Sequence, residues 1–119
     1  QMEQLESFLT TKRALATRYN AYFAGTGLQF FAEPAGCTSN YWLNALVLDS
    51  KAQRDEFLQH TNANGVMTRP VWRLMNALEM FKTCQHDGLE NSHWLEERIV
   101  NIPSSVPGPH AGFTAESAA

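Results

Sequence analysis

Asn40–Trp72, NYWLNALVLDSKAQRDEFLQHTNANGVMTRPVW, decides the architecture. Tyr41–Asp49 is dense in aromatic and aliphatic side chains and reads as a strand. Lys51–Asn64 then returns apolar side chains at helical spacing, with Ala52, Phe57 and Leu58 inward and Arg54, Asp55 and Glu56 outward. Ser50 is placed to cap that helix, with Asp49 as its competitor. Gly65 stops it, because glycine enters the left-handed backbone region without strain. Val66–Trp72 resumes as a strand, and Pro70, with no N–H for a ladder, confines it to an edge or breaks it near its middle. The stretch is a strand–helix–strand unit with a polar and aromatic tip at each strand end.

Upstream, residues 1–25 carry Met2, Leu5, Leu9, Leu15, Tyr19, Tyr22 and Phe23 at three- to four-residue steps, without proline, up to Gly25 and Gly27. This predicts one long amphipathic helix. Its stripe is already running at Met2 with no capping residue ahead, so the element is expected to begin upstream of residue 1. Leu28–Glu33 is a short edge strand or extended arm closed by Pro34 and Gly36. Downstream, Arg73–Cys84 reads as a helical turn with Leu74, Leu78 and Phe81 on one side. Glu90–Arg98 is a short helix with Trp94 and Leu95 inward, and Ile99–Ile102 is a strand stopped by Pro103. The expected fold is α+β: a small, mainly antiparallel sheet with a long N-terminal helix and short helices on one face. The strand at 41–49 is expected beside both 66–70 and 99–102. Residues 1–105 form this domain, and 106–119, rich in Pro, Gly, Ser and Ala, form a flexible tail.

A chain of 119 residues with 44% hydrophobic residues can bury a core without disulfides or a metal. The net charge is −3 and no Lys/Arg run exceeds Lys12–Arg13, which argues against nucleic acid as a partner. No apolar run approaches the roughly 18–20 residues of a membrane span, and no signal-peptide pattern is present. Cys37 and Cys84 stand outside any CxxC, and His60, His86, His93 and His110 do not cluster, so free thiols in a reducing cytoplasm and no metal site are expected. Asp87 and Glu90 near His86 fit a solvated turn, and Ser104–Ser105 lacks a nucleophile elbow.

NYWLNALVLD, RDEFLQHTNANGVMTRPVW and LENSHWLEERIVNIPSS, in that order, resemble the C-terminal domain of the sugar aminotransferases of the DegT, DnrJ and StrS type. The likeness is to the branch that aminates nucleotide-linked keto sugars for bacillosamine-, legionaminic- and perosamine-like glycans, and it covers about residues 1–105. It implies the small domain of aminotransferase fold type I, from a homodimeric, pyridoxal phosphate-dependent family. In that family the larger N-terminal domain supplies the Schiff-base lysine, the acid at the ring nitrogen and most phosphate contacts. Here Lys12 and Lys51 fall on expected solvated helix faces, and neither they nor Lys82 sit in the family's lysine context. No cofactor is therefore expected on this chain, and no catalytic residue is assigned. It is expected to be a catalytically incompetent part of such an enzyme.

The resemblance also implies where a sugar nucleotide would be met. Arg69 at the TRPVW strand end would take a phosphate through its planar fork, and Trp72 would wall a base or sugar face. Asn40, Tyr41 and Trp42, at the opposite end of the neighbouring strand, are further substrate-facing candidates, with core or interface packing as the alternative for each. Asn44, inside an apolar strand, reads as a hydrogen-bonded structural polar residue. A second reading is a free-standing binding or self-associating module descended from such a domain. In that reading Met2, Leu5, Leu9 and neighbouring aromatic residues of the first helix form the surface of a homodimer or higher oligomer.

Overall fold

The computed structural model describes residues 2–106. The expected tail, Val106 excepted, lies outside the described residues. A 3-10 turn, Met2–Gln4, leads into α1, Leu5–Phe23. The strands are β1 (Gln29–Phe30), β2 (Asn44–Val47), β3 (Arg69–Pro70) and β4 (Ile99–Ile102), and the remaining helices are α2 (Lys51–Ala63) and α3 (Glu90–Glu96). The strands hydrogen-bond in the order β1-β2-β4-β3. Thus β4 lies between β2 and β3, and the expectation that the second strand touches both later ones is corrected. β3 is an edge, the position that a proline-bearing strand tolerates. The described residues cluster into two compact units, one made of 2–44 with 103–106, the other of 45–102.

In the first unit α1 packs on β1 through aromatic side chains. The Tyr19 ring lies 6.3 Å from Phe23 and 6.4 Å from Phe30, and Phe30 stacks on Tyr41 at 6.4 Å. Ala16 and Phe30 are buried there. The long side chains of α1 also reach carbonyls far along the chain. Lys12 Nζ donates to Ser104 O at 2.6 Å and Trp42 O at 3.4 Å, and Tyr19 Oη donates to Pro103 O at 3.0 Å. Lys12 is half-buried, which corrects its expected solvated setting: its four-carbon stem lets the ammonium cross to carbonyls that helical periodicity cannot reveal. Asn44 is fully buried, and both its backbone N–H and its Nδ2 donate to Ser104 Oγ, at 2.7 and 3.3 Å. The structural role expected of Asn44 is thereby met.

In the second unit Leu46, Val47, Leu48, Val100 and Ile102 form the core. β4 alternates between half-buried and buried side chains, as a pleated strand must. Leu48 N–H donates to Arg98 O at 2.9 Å, closing the antiparallel β2–β4 pair. β3 pairs antiparallel with β4 in the register Arg69 to Asn101 and Pro70 to Val100. Ser50 caps α2, its hydroxyl accepting from Gln53 N–H at 3.2 Å, while Asp49 N–H donates to Gln53 Oε1. Gly65 follows α2 with φ +77°.

The helix faces need revision at three positions. Ala52 is exposed, and Arg54 turns in to donate to Glu96 O at 2.6 Å. Trp94 of α3, expected inward, is 48% exposed with the Arg98 guanidinium 4.7 Å from its ring centre, so the cation covers the face that a core would have covered. Arg73–Cys84 forms two 3-10 turns, Met75–Ala77 and Glu79–Phe81. Cys37 and Cys84 are exposed free thiols, one in each unit. No helix among the described residues is long and apolar enough to cross a membrane.

Candidate functional site

The five sequence-selected residues fall into two groups. Asn40, Tyr41 and Trp42 lie in the first unit, and Arg69 and Trp72 in the second. Neither group sits within a long strand, although strands were expected over Tyr41–Asp49 and Val66–Trp72. β2 begins at Asn44 rather than Tyr41, and β3 contains only Arg69 and Pro70 of the expected Val66–Trp72.

The reason in the first unit is local side-chain chemistry. Ser39 Oγ accepts from Tyr41 N–H and Asn40 Oδ1 from Trp42 N–H, both at 3.0 Å. These bonds to the backbone two residues ahead build turns that compete with a ladder. Tyr41 consequently sits at φ +45°, the left-handed region that few non-glycine residues enter. Its phenol oxygen accepts from Glu33 N–H at 3.2 Å. Glu33 in turn accepts from Ser39 N–H at 2.5 Å through Oε2, which lies 3.9 Å from Arg13 Nη2. Arg13 also donates to Ser39 O. A bend fixed from several directions thus leaves Asn40 and Trp42 exposed and Tyr41 half-buried, Trp42 being 65% exposed. Lys12, Arg13, Glu33 and Ser39 escaped selection from the sequence. A serine–asparagine pair before two aromatic residues was the one local signal of a turn.

In the second unit Thr68 is buried while its neighbours Met67 and Arg69 are exposed, the alternation expected of extended chain. Arg69 Nη2 lies 3.6 Å from Met67 Sδ. Trp72 is 68% exposed, and the chain just beyond it is tied back by Leu74 N–H donating to Glu96 Oε1 at 3.4 Å. Chemically, this face offers a forked cation with exposed thioether and indole surface close by in sequence, a combination suited to an anionic group attached to a flat or apolar body.

Pyridoxal phosphate, implied by the resemblance, needs a reactive lysine amine, a partner for its ring nitrogen and donors around its phosphate. Of the three lysines in the chain, Lys12 is engaged by carbonyls, Lys82 is paired with Glu79, and Lys51 stands exposed in the first turn of α2. Two of the three amines are thus held by groups of the chain itself, and no chemical step is derived through the cofactor.

A long helix and a small antiparallel sheet make up the α+β fold of this chain, and solved aminotransferase structures share that fold. The sequence pattern of the DegT/DnrJ/EryC1/StrS aminotransferase family matches residues 1–108, and this chain belongs to that family. It is 26% identical over 107 residues to GDP-perosamine synthase of Vibrio cholerae, covering 87% of this chain and 29% of that protein. It is 30% identical over 82 residues to EpsN of Bacillus subtilis strain 168, covering 68% of this chain and 21% of that one. The crystal structure of the aminotransferase TlmJ from Streptoalloteichus hindustanus superposes with a TM-score of 0.80 at 20% identity, over 98% of this chain and 31% of that chain. The chain therefore spans less than a third of the length of each of these relatives.

Proposed function

We propose that this chain is the C-terminal part of a pyridoxal phosphate-dependent nucleotide-sugar aminotransferase. In that enzyme it walls one side of the substrate cleft and helps hold the sugar nucleotide, while lacking the groups to carry out amino transfer by itself. The observation that carries this reading is the exposed Arg69 on an edge strand, between Met67 and Trp72, in a chain of this family. Arg69 grips a phosphate of the nucleotide in bidentate fashion, and Trp72 covers an apolar face of the base or sugar. Trp42, with Asn40 and Tyr41, is a second contact segment whose bend is set before ligand arrives. The exposed thiols Cys37 and Cys84 suit a reducing cytoplasm.

The test has two arms. An absorbance scan with added pyridoxal phosphate, then borohydride reduction and peptide mapping, is expected to give no cofactor band and no modified lysine. A modified Lys12, Lys51 or Lys82 would return this chain to the class of independent enzymes. In the second arm, calorimetry with GDP is expected to show saturable binding that weakens about tenfold, or ~1.4 kcal/mol, in Arg69→Met. Equal affinity in both proteins would remove Arg69 from the site.

Self-association is the second reading, and exposed apolar side chains on the first helical segment favour it. Met2 is 81% and Leu5 41% exposed, whereas Leu9 is half-buried and can add only part of its surface. Sedimentation of a homodimer that Leu5→Glu dissociates supports it, and a monomer at high concentration sinks it.

A further inference from the structure

We propose that Thr61, Asn62 and Thr68 are positioning residues for Arg69: a directed chain of side-chain hydrogen bonds between α2 and the approach to β3 sets which way Arg69 faces. The inference rests on the reading of Arg69 as a phosphate contact. Thr61 Oγ1 donates its single proton to Phe57 O at 2.8 Å, with Leu58 O at 3.3 Å as a weaker share. Thr61 Oγ1 and Thr68 Oγ1 are 2.5 Å apart, and with the Thr61 proton on Phe57 O it is Thr68 that donates between them. Thr68 Oγ1 then accepts from Asn62 Nδ2 at 3.0 Å, and the same amide reaches Thr68 O at 3.1 Å and Leu58 O at 2.8 Å. With the proton so placed the bonds run one way: Asn62 amide to Thr68 hydroxyl to Thr61 hydroxyl to the α2 backbone. Bonds that run one way along such a chain polarise and strengthen one another.

The location gives this chain its consequence. Thr68 is 4% exposed and directly precedes Arg69, and the backbone turn above it is closed by Val66 N–H on Thr61 O at 2.9 Å and Gly65 N–H on Asn62 O at 3.1 Å. Side chains alternate along extended backbone, so holding Thr68 inward forces Met67 and Arg69 outward together. A slip of one residue would turn Arg69 inward and Thr68 out. β3 has only two residues, one of them proline, so its own ladder offers little against such a slip. The threonine–asparagine clasp supplies the register that the short strand lacks.

The test uses the full chain in four forms: wild type, Thr68→Val, Thr68→Ser and Asn62→Ala. Two readouts are taken, the NMR contact between the backbones of Arg69 and Asn101, and calorimetric affinity for GDP as probe. Thr68→Val is expected to lose the Arg69–Asn101 contact and to bind about tenfold more weakly, and Thr68→Ser, which keeps the hydroxyl, to restore both. Asn62→Ala, at an exposed position, interrupts the chain from its other end and serves if Thr68→Val does not fold. Retention of both the contact and the affinity in Thr68→Val or Asn62→Ala overturns the proposal. If Arg69→Met binds GDP as wild type does, the phosphate reading fails alone, and the NMR contact still decides whether the clasp sets the register.

Discussion

Ser104 shows how much one hydroxyl can hold. Its Oγ accepts from the buried backbone and side-chain amides of Asn44, and its carbonyl receives the Lys12 ammonium. Ser104→Ala removes only the first pair of bonds but strands two donors of a fully buried residue. It should cost about 1–3 kcal/mol, read as a shift in the urea midpoint with unchanged slope. Asn44→Leu, which takes away the side-chain polar atoms at the same site, should cost less in Ser104→Ala than in wild type. At this scale legibility divides sharply. The polar role of Asn44 was visible because an amide among aliphatic neighbours needs a partner, but the identity of that partner, 60 positions away, was not. Lys12 was misread for the same reason, since the carbonyl it reaches lies 92 positions on.

Among the elements, α2 was the most legible because its stop and start are both written locally. Ser50 donates no ambiguity once its hydroxyl is seen on Gln53 N–H, and Gly65 takes the backbone turn that its neighbours resist. A β-carbon at position 65 would meet open space, so the cost of Gly65→Ala is torsional alone. It should be about 1–2 kcal/mol, with Gly65→Asn losing less because asparagine tolerates that region. Thermal unfolding of the two variants side by side checks the order. The strands were less legible. Tyr41–Leu43 has strand-like composition, yet Ser39 and Asn40 bond to the backbone of residues 41 and 42 and postpone β2 until Asn44. Trp94 failed on a different ground: large aromatic side chains suggest a core, but an arginine one turn later shields this one at the surface. For the candidate site, the outward Arg69 and Trp72 could be read from the proline that breaks their strand. The clasp that orients Arg69 could not, because it depends on a contact between the hydroxyls of Thr61 and Thr68, seven positions apart, one in α2 and one just ahead of β3.

For the molecule as a whole, pH exposes the tie between α1 and the segment that follows β4. Burial raises the Tyr19 phenol above its ordinary value of 10.0, opposed in part by the Arg18 guanidinium. The folded chain therefore keeps this proton more firmly than the unfolded chain does. Its stabilising contribution is complete below the unfolded value and is lost as pH rises through the elevated folded value. Melting temperatures taken from neutral pH into the alkaline range should fall more steeply for wild type than for Tyr19→Phe. At neutral pH the variant should be the less stable, having lost the bond to Pro103 O. The thiols reach the same scale from another direction. Cys37 and Cys84 are the two cysteines of the chain, each on the surface of a different unit. Coupled to a donor and an acceptor dye, they turn the unmodified sequence into a molecular ruler. Energy transfer between them would follow, in one molecule at a time, any change in their spacing as nucleotide is added.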